Sequence, residues 1–314
     1  MDADLKSKFP SWTKKEEMKK GKIDWLMSDD IDSWASIVLL QHLFGKQNKA
    51  NYFIDFNQSY INKHEYKCSC QQIYVTNELS NDELIGVDVA LDTQTMCFDN
   101  HCCMLIKEDI EYKNQYSANI NNIFNVTRLG DNGLKDGYYR KYAGSTLLTI
   151  MSLYNLDIGN WDEEMLTILC CIDSLFIPQK IRKVNFKSIQ DKYLKLMGYE
   201  YLIKFMEEKI NSSGYRLFEE AIKKYNLKDK IIVGADGKLQ TSIRLDLLSE
   251  VFALDLSLPN TIFKEHKRCD KFYRNLDKYP IREDEYLLDE GEYFLNFSVV
   301  TSNSIVYSKG VNRK

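Results

Sequence analysis

Ile23-Asp24-Trp25-Leu26-Met27, running into Ser28-Asp29-Asp30-Ile31-Asp32-Ser33, is the stretch on which the fold of this chain turns. The first five residues form a short apolar run suited to a buried strand. The next six are polar enough to break it. Beyond them Trp34, Ile37, Val38, Leu40, Leu43 and Phe44 recur at helical spacing and stop at Gly45. A buried strand leading through a turn into a helix is the building unit of a parallel sheet. Asn51 to Phe56, Gln72 to Val75, Leu84 to Val89 and Thr95 to Asp99 read as further short strands. Their continuous apolar character predicts an α/β fold, a parallel sheet flanked by helices on both faces. Ligands of such sheets bind at the carboxyl ends of the strands, and Asp30, Asp32, Asp88 and Asp99 all fall at those ends.

Outward from this core, Asn114 to Arg140 is rich in Asn, Asp, Gly and Tyr and reads as a long loop or lid. Ala143-Gly144-Ser145-Thr146 then opens a helix from Leu147 to Leu153, with a hydroxyl cap at its start. A helix over Glu163 to Cys171 runs into Ile172-Asp173-Ser174-Leu175-Phe176 and is stopped before Pro178. Residues 181–226 read as two basic amphipathic helices broken at Ser212-Ser213-Gly214. Ile231 to Lys238 reads as a hairpin with a Gly-containing turn, and Phe294 to Val300 and Ser304 to Tyr307 as terminal strands. The expected organisation is a first domain over 1–180, connecting helices over 181–226, and a smaller α+β C-terminal domain over 227–314.

The 314 residues suffice for two ordinary domains, and 44% apolar with 28% charged residues allows a proper core. No apolar run approaches a membrane span, and the charged N-terminus contains no apolar signal core. The cysteines read as reduced thiols: Cys102-Cys103 and Cys170-Cys171 are adjacent pairs in apolar surroundings, and Cys68-Ser69-Cys70 is too tight for a zinc knuckle. A cytoplasmic location is expected. Lys plus Arg (42) against Asp plus Glu (46) gives a net charge of −4, which disfavours a protein coating long nucleic acid.

Asp30-x-Asp32 in a turn after a strand brings two hard oxygen ligands near one point. Asp88, Asp99 and Asp173 would supply the rest of a two-metal centre. Each of these residues taken singly reads more readily as a turn cap than as a ligand, because its side chain satisfies turn amides. Asp92 is assigned to turn capping, and His42, His64 and His266 have no partner pattern.

Asp30-Ile31-Asp32-Ser33, Val87-Asp88, Phe98-Asp99-Asn100-His101 and Cys171-Ile172-Asp173-Ser174-Leu175-Phe176 resemble, in order, the four motifs of the DHH phosphoesterase superfamily. Its members include RecJ-type nucleases, nanoRNases, cyclic-dinucleotide phosphodiesterases and family II pyrophosphatases. Ala143 to Leu148 is similar to the small-residue helix start between the third and fourth motifs. The resemblance covers roughly residues 22–180. It implies that Asp30 serves one metal and Asp32 the other, that Asp88 bridges both, and that Asp173 completes the second. Asn100 stands at a metal-binding position, Asp99 orients its neighbour, and His101 faces the scissile phosphate. The implied chemistry is Mn²⁺- or Mg²⁺-assisted hydrolysis, in which two cations about 4 Å apart activate a water and neutralise phosphate oxygens. Two departures stand out. Leu26 and Ser28 occupy places where the family has a His or Asp ahead of Asp30, leaving a ligand short unless Asp29 swings in. Asn100 replaces a histidine.

The family's second domain holds the substrate end with a glycine-rich motif. Asp236-Gly237-Lys238 is similar to the opening of such a domain, but the chain has no Gly-Gly pair. Arg140 and Lys141, with Ser145 and Thr146 at a helix start, are the phosphate-binding candidates. Arg244, the His266-Lys267-Arg268 run and a base-stacking pair, Tyr138-Tyr139, are further options. The expected activity is a metal-dependent phosphodiesterase acting on a short oligonucleotide or dinucleotide, with a homodimer allowed. The alternatives are a catalytically weakened nucleotide-binding sensor and a structural protein docking through Lys192 to Lys223.

Overall fold

The computed structural model describes residues 1–45, 49–56, 69–78, 83–91, 94–130, 135–181, 185–276 and 292–311. His64, Cys68 and Asp92 lie outside these residues. Strands β1 (Ile23–Met27), β2 (Lys49–Asp55), β3 (Ser69–Val75), β4 (Glu83–Val87), β5 (Cys97–Asp99) and β6 (Ser117–Asn119) come first in the chain. β7 (Ile231–Val233) and β8 (Leu239–Thr241) form a hairpin, and β9 (Lys264–Asn275), β10 (Glu292–Thr301) and β11 (Ser304–Val311) follow. Among the described residues, nine strands make one sheet in the order β10-β11-β9-β3-β2-β1-β4-β5-β6, while β7 and β8 pair only with each other.

The parallel half, β2-β1-β4-β5-β6, is the expected one. All five residues of β1 are buried, as a continuous apolar run requires, and its one charge, Asp24, accepts a hydrogen bond from Asn51 Nδ2 at 2.6 Å. α1 (Ile31–Phe44) starts where Asp30 caps the Ser33 amide at 3.2 Å. α2 (Thr146–Leu153) is capped by the Ser145 hydroxyl and α3 (Glu163–Cys171) by Asp162. These helices pack with Ile23, Trp25 and Met27 of β1 in the main core.

Three expectations are corrected. β3 runs antiparallel to β2. The 181–226 region forms three helices, α4 (Phe186–Met197), α5 (Glu200–Ser213) and α6 (Arg216–Tyr225), because Gly198, at φ 81°, ends the first one where an L side chain would be strained. α7 (Leu245–Phe252) packs against α3 and α6.

The third correction concerns the C-terminal strands, which form no separate α+β domain. β9 pairs antiparallel with β3, with Gln71 opposite Cys269, and β11 and β10 extend the same sheet. The sheet curls until β10 meets the chain leaving β4 and β5. Phe297 N–H donates to Ala90 O at 3.1 Å and Val299 N–H to Cys102 O at 2.8 Å. On the opposite face Leu26, Ile54, Ile73, Cys97 and Cys269 of the curled sheet pack with one another and with Val89 and Leu91 of the chain leaving β4, a cluster to which no helix contributes among the described residues. The reason is edge satisfaction: an open β3 edge leaves a row of unpaired amides and carbonyls, and β9 closes it.

Candidate metal centre

The turn after β1, the residue after β4, the end of β5 and the turn after α3 converge at the carboxyl ends of the parallel strands. Ligand oxygens of Asp32, Asp88 and Asp173 all lie within 4.8 Å of one another. Asp88, Asp99 and His101 form a second such group, so Asp88 belongs to both. Asp88 (φ 55°) and Asp173 (φ 51°) sit in the left-handed region, an arrangement side chains rarely adopt unless the surroundings enforce it. Asp32 and Asp88 are buried, at 1% and 5% exposure. Asp173 is exposed, and the His101 side chain retains 34% exposure, so the site opens at these two residues.

Each carboxylate is held from behind. The first free amides of α2 donate to both oxygens of Asp32, Thr146 N–H at 2.7 Å and Leu147 N–H at 2.8 Å. The Thr146 hydroxyl donates to Asp88 at 2.9 Å, with Ser28 more distant at 3.4 Å. Asp99 accepts from Asn119 Nδ2 at 2.8 Å and from His101 Nδ1 at 2.7 Å, which orients the ring and leaves Nε2 as its open nitrogen. Asn100 Nδ2 donates to Gly144 O at 2.8 Å and also to Asp173. Its Oδ1 is then the only atom it could offer a cation. Asn121 ties the two loops together, donating to Asn100 O at 2.6 Å and accepting from Tyr142 N–H at 2.7 Å.

Burial, followed by the repulsion of the neighbouring carboxylates, pushes Asp32 and Asp88 well above the ordinary range, and partial enclosure of its carboxyl followed by the charge of Asp30 also raises Asp173 at the mouth of the site. For His101 burial works against the charged form, but Asp99, with Asp88 and Asp173 behind it, outweighs that and raises the imidazole to about 9.

The remaining candidates separate clearly. Asp30 is close enough for its charge to be the largest one acting on both Asp88 and Asp173, yet its oxygens are bonded to Ser33 N–H and Lys230. Asp29 does not swing in; it is buried against Lys230 and the Phe56 amide. The charge of Lys141 reaches Asp173 through space, and its ammonium lies 5.0 Å from the Tyr138 ring centroid. Arg140 instead pairs with Asp136 at 3.0 Å and lines a cleft of about 440 Å³ with Lys107, Lys192, Phe124 and Tyr193. Ser145 and Thr146 are fully committed to the helix cap and the carboxylates. The anion at the α2 N-terminus is thus the protein's own Asp32, not a phosphate.

Tyr138 donates to Val300 O at 2.9 Å and Tyr139 to Ser302 Oγ at 3.4 Å, so both fasten the β10–β11 turn. Arg244 pairs with Asp246, and Arg268 on β9 pairs with Glu265. Asp236 closes its own turn onto the Lys238 amide at 3.0 Å. The Cys102 thiol faces backbone carbonyls of Met104 and Val126 rather than His101. His42 lines an apolar cavity of about 290 Å³.

Sequence reasoning missed Asn119, Asn121 and Lys230. The Asn-rich run after Asn114 was a usable signal for the first two; nothing in the residues around Lys230 marked it. No family model, curated protein or solved structure matches this chain.

Proposed function

We propose that the chain is a Mn²⁺- or Mg²⁺-dependent phosphodiesterase acting on short oligonucleotides or nucleotide signalling molecules, like the DHH phosphoesterases whose motifs it resembles. The observation that carries this reading is the meeting of Asp32, Asp88 and Asp173, from three distant segments, within 4.8 Å. Three carboxylates this close resist ionising together unless a cation joins them. An all-oxygen donor set suits a hard divalent ion. Asp32, Asp88 and Asp173 would hold it, and when bound it supplies a water of lowered pKa and neutralises phosphate oxygens.

The protein's own residues do the rest. The α2 amides, the Thr146 hydroxyl and the Asn100 amide fix the ligand oxygens before any ion arrives. His101, charged at neutral pH through Asp99, stands at the opening as a proton donor to a departing oxygen and as a charge for phosphate oxygens. Lys141 adds a positive charge on the Asp173 side. A net charge of −4 favours a small substrate over a long strand.

One observation favours the sensor reading: Asn100 stands where the resemblance would put a histidine, and its amide nitrogen is already committed. Incubation with Mn²⁺ and a panel of linear dinucleotides, cyclic dinucleotides and a single-stranded oligomer separates the two. Turnover that disappears in Asp88→Asn is the expected result. Tight binding without turnover in either protein would replace the enzyme by the sensor, and faster degradation of the long strand would overturn the substrate class.

A further inference from the structure

We propose that Lys230 is a tethered cation standing in for one of the two metal ions of a DHH-like centre, so that the chain takes a single divalent ion at Asp32, Asp88 and Asp173. The inference rests on the metal-centre reading above and concerns how that centre is filled.

The Lys230 ammonium lies 2.9 Å from Asp29 Oδ1 and 3.2 Å from Asp30 Oδ2, bridging two adjacent carboxylates as a bound cation would. Its position is built into the fold rather than left to a flexible side chain. The next residue, Ile231, is fully buried and donates its amide to Asp29 O at 2.8 Å. The Thr241 hydroxyl, from the paired strand β8, donates to Lys230 O at 3.0 Å. The hairpin therefore anchors the lysine backbone against the β1–α1 turn.

The donors on this side are also used up. Asp30 Oδ1 caps the Ser33 amide while Oδ2 meets Lys230; Asp29 Oδ2 accepts from the Phe56 amide while Oδ1 meets Lys230. Leu26 and Ser28, the flanking positions that could complete a coordination shell, carry no charge. A divalent ion with six or more oxygen ligands would find there two carboxylates already sharing an ammonium and hydrogen-bonded to backbone amides. On the other side of the α1 start, Asp32, Asp88 and Asp173 have no ammonium bonded to them among the described residues. The Asp29–Asp30 side thus has no open donor set for a second ion, and in the Asp88, Asp99 and His101 group Asp99 is already bonded to His101 Nδ1 and Asn119 Nδ2. The positive charge on the Asp29–Asp30 side is supplied covalently by position 230.

Calorimetric titration of the full chain with Mn²⁺ alone, with circular dichroism as the folding control, tests this. Wild type is expected to bind one ion per chain, and Lys230→Gln two, with an exchange-coupled Mn²⁺ pair in its electron paramagnetic resonance spectrum. Two ions bound by wild type, or one by a folded Lys230→Gln, would overturn the stand-in role while leaving the metal centre intact. No binding to either protein removes the metal reading and this inference with it. Should Lys230→Gln fail to fold, Asp30→Asn takes its place. It is expected to keep the single ion, weakened by no more than about tenfold, as removal of one through-space charge would do. Loss of binding in Asp30→Asn would make Asp30 a ligand and end the proposal.

Discussion

Two groups of carboxylates flank the first turn of α1, and they are treated in opposite ways. Asp29 and Asp30 share the ammonium of Lys230, and each also accepts a backbone amide. Asp32, Asp88 and Asp173 receive amides, a hydroxyl and an Asn side chain, all neutral donors. Hydrogen bonds orient a carboxylate and lower its pKa somewhat, but they do not cancel its charge. The burial and mutual repulsion of the second group remain uncompensated. The difference teaches where the protein supplies the compensating charge itself and where, on the proposed metal reading, a cation would supply it. The same residue type becomes a structural ion pair or a ligand according to whether the fold delivers a partner charge.

The comparison breaks most sharply at Asp32. Asp32→Asn keeps the shape but removes a ligand charge, and Mn²⁺ affinity measured by titration should fall at least about a hundredfold. Asp30→Asn, one turn residue away, should leave the single ion in place. Equal losses in the two variants would erase the distinction between the groups.

Thermal unfolding sharpens it through pH. Asp32, Asp88 and Asp173 have folded-state pKa values raised above the unfolded ones. Their contribution to stability is therefore present below the unfolded carboxylate range and lost as pH rises through the raised values. The metal-free protein should lose stability from these groups as pH rises above the ordinary carboxylate range. Added Mn²⁺, which needs them deprotonated, should do the reverse, with stabilisation of about 2.7 kcal/mol at a hundredfold excess over Kd near neutrality, fading on acidification. A metal-induced shift that is flat with pH would show that these carboxylates are not the ligands.

Thr146→Val removes the hydroxyl behind Asp88 without disturbing the helix amides, and an affinity loss of about tenfold is expected, with a smaller drop in melting temperature. The smallest effect belongs to Arg140→Ala. Its exposed pair with Asp136 lies outside the carboxylate site, so turnover should stay within about twofold. A loss comparable with that of Lys141→Ala would put Arg140 back at the substrate.

Much of the local architecture was legible. The β1–turn–α1 unit, the Ser145 cap, the helix over Glu163 to Cys171, the helix break at Gly214 and the β7–β8 hairpin follow from spacing and turn chemistry within a few residues. The positions of Asp30, Asp32, Asp88, Asp99 and Asp173 at element ends were equally readable. β9 was not. Lys264 to Asn275 is mostly charged and polar, and only its pairing with β3 and β11 makes it a strand. The bonding of Ser145 and Thr146 to the helix cap and to Asp32 and Asp88 was likewise not legible. A helix start attracts anions from any source, and sequence does not say that Asp32 occupies this one.

By itself the sequence determined the β1–turn–α1 unit, the starts of α2 and α3 and the acidic residues that end the strands, since hydrophobic period and capping act over one or two turns of chain. Only the tertiary structure decided that the C-terminal strands complete the first sheet, that Arg140 pairs with Asp136 outside the carboxylate site, and that Lys230, 201 residues from Asp29, supplies the positive charge on that side of the site. Edge pairing and charge pairing join residues with no local relation, and their partners exist only once the sheet has curled and the hairpin has docked.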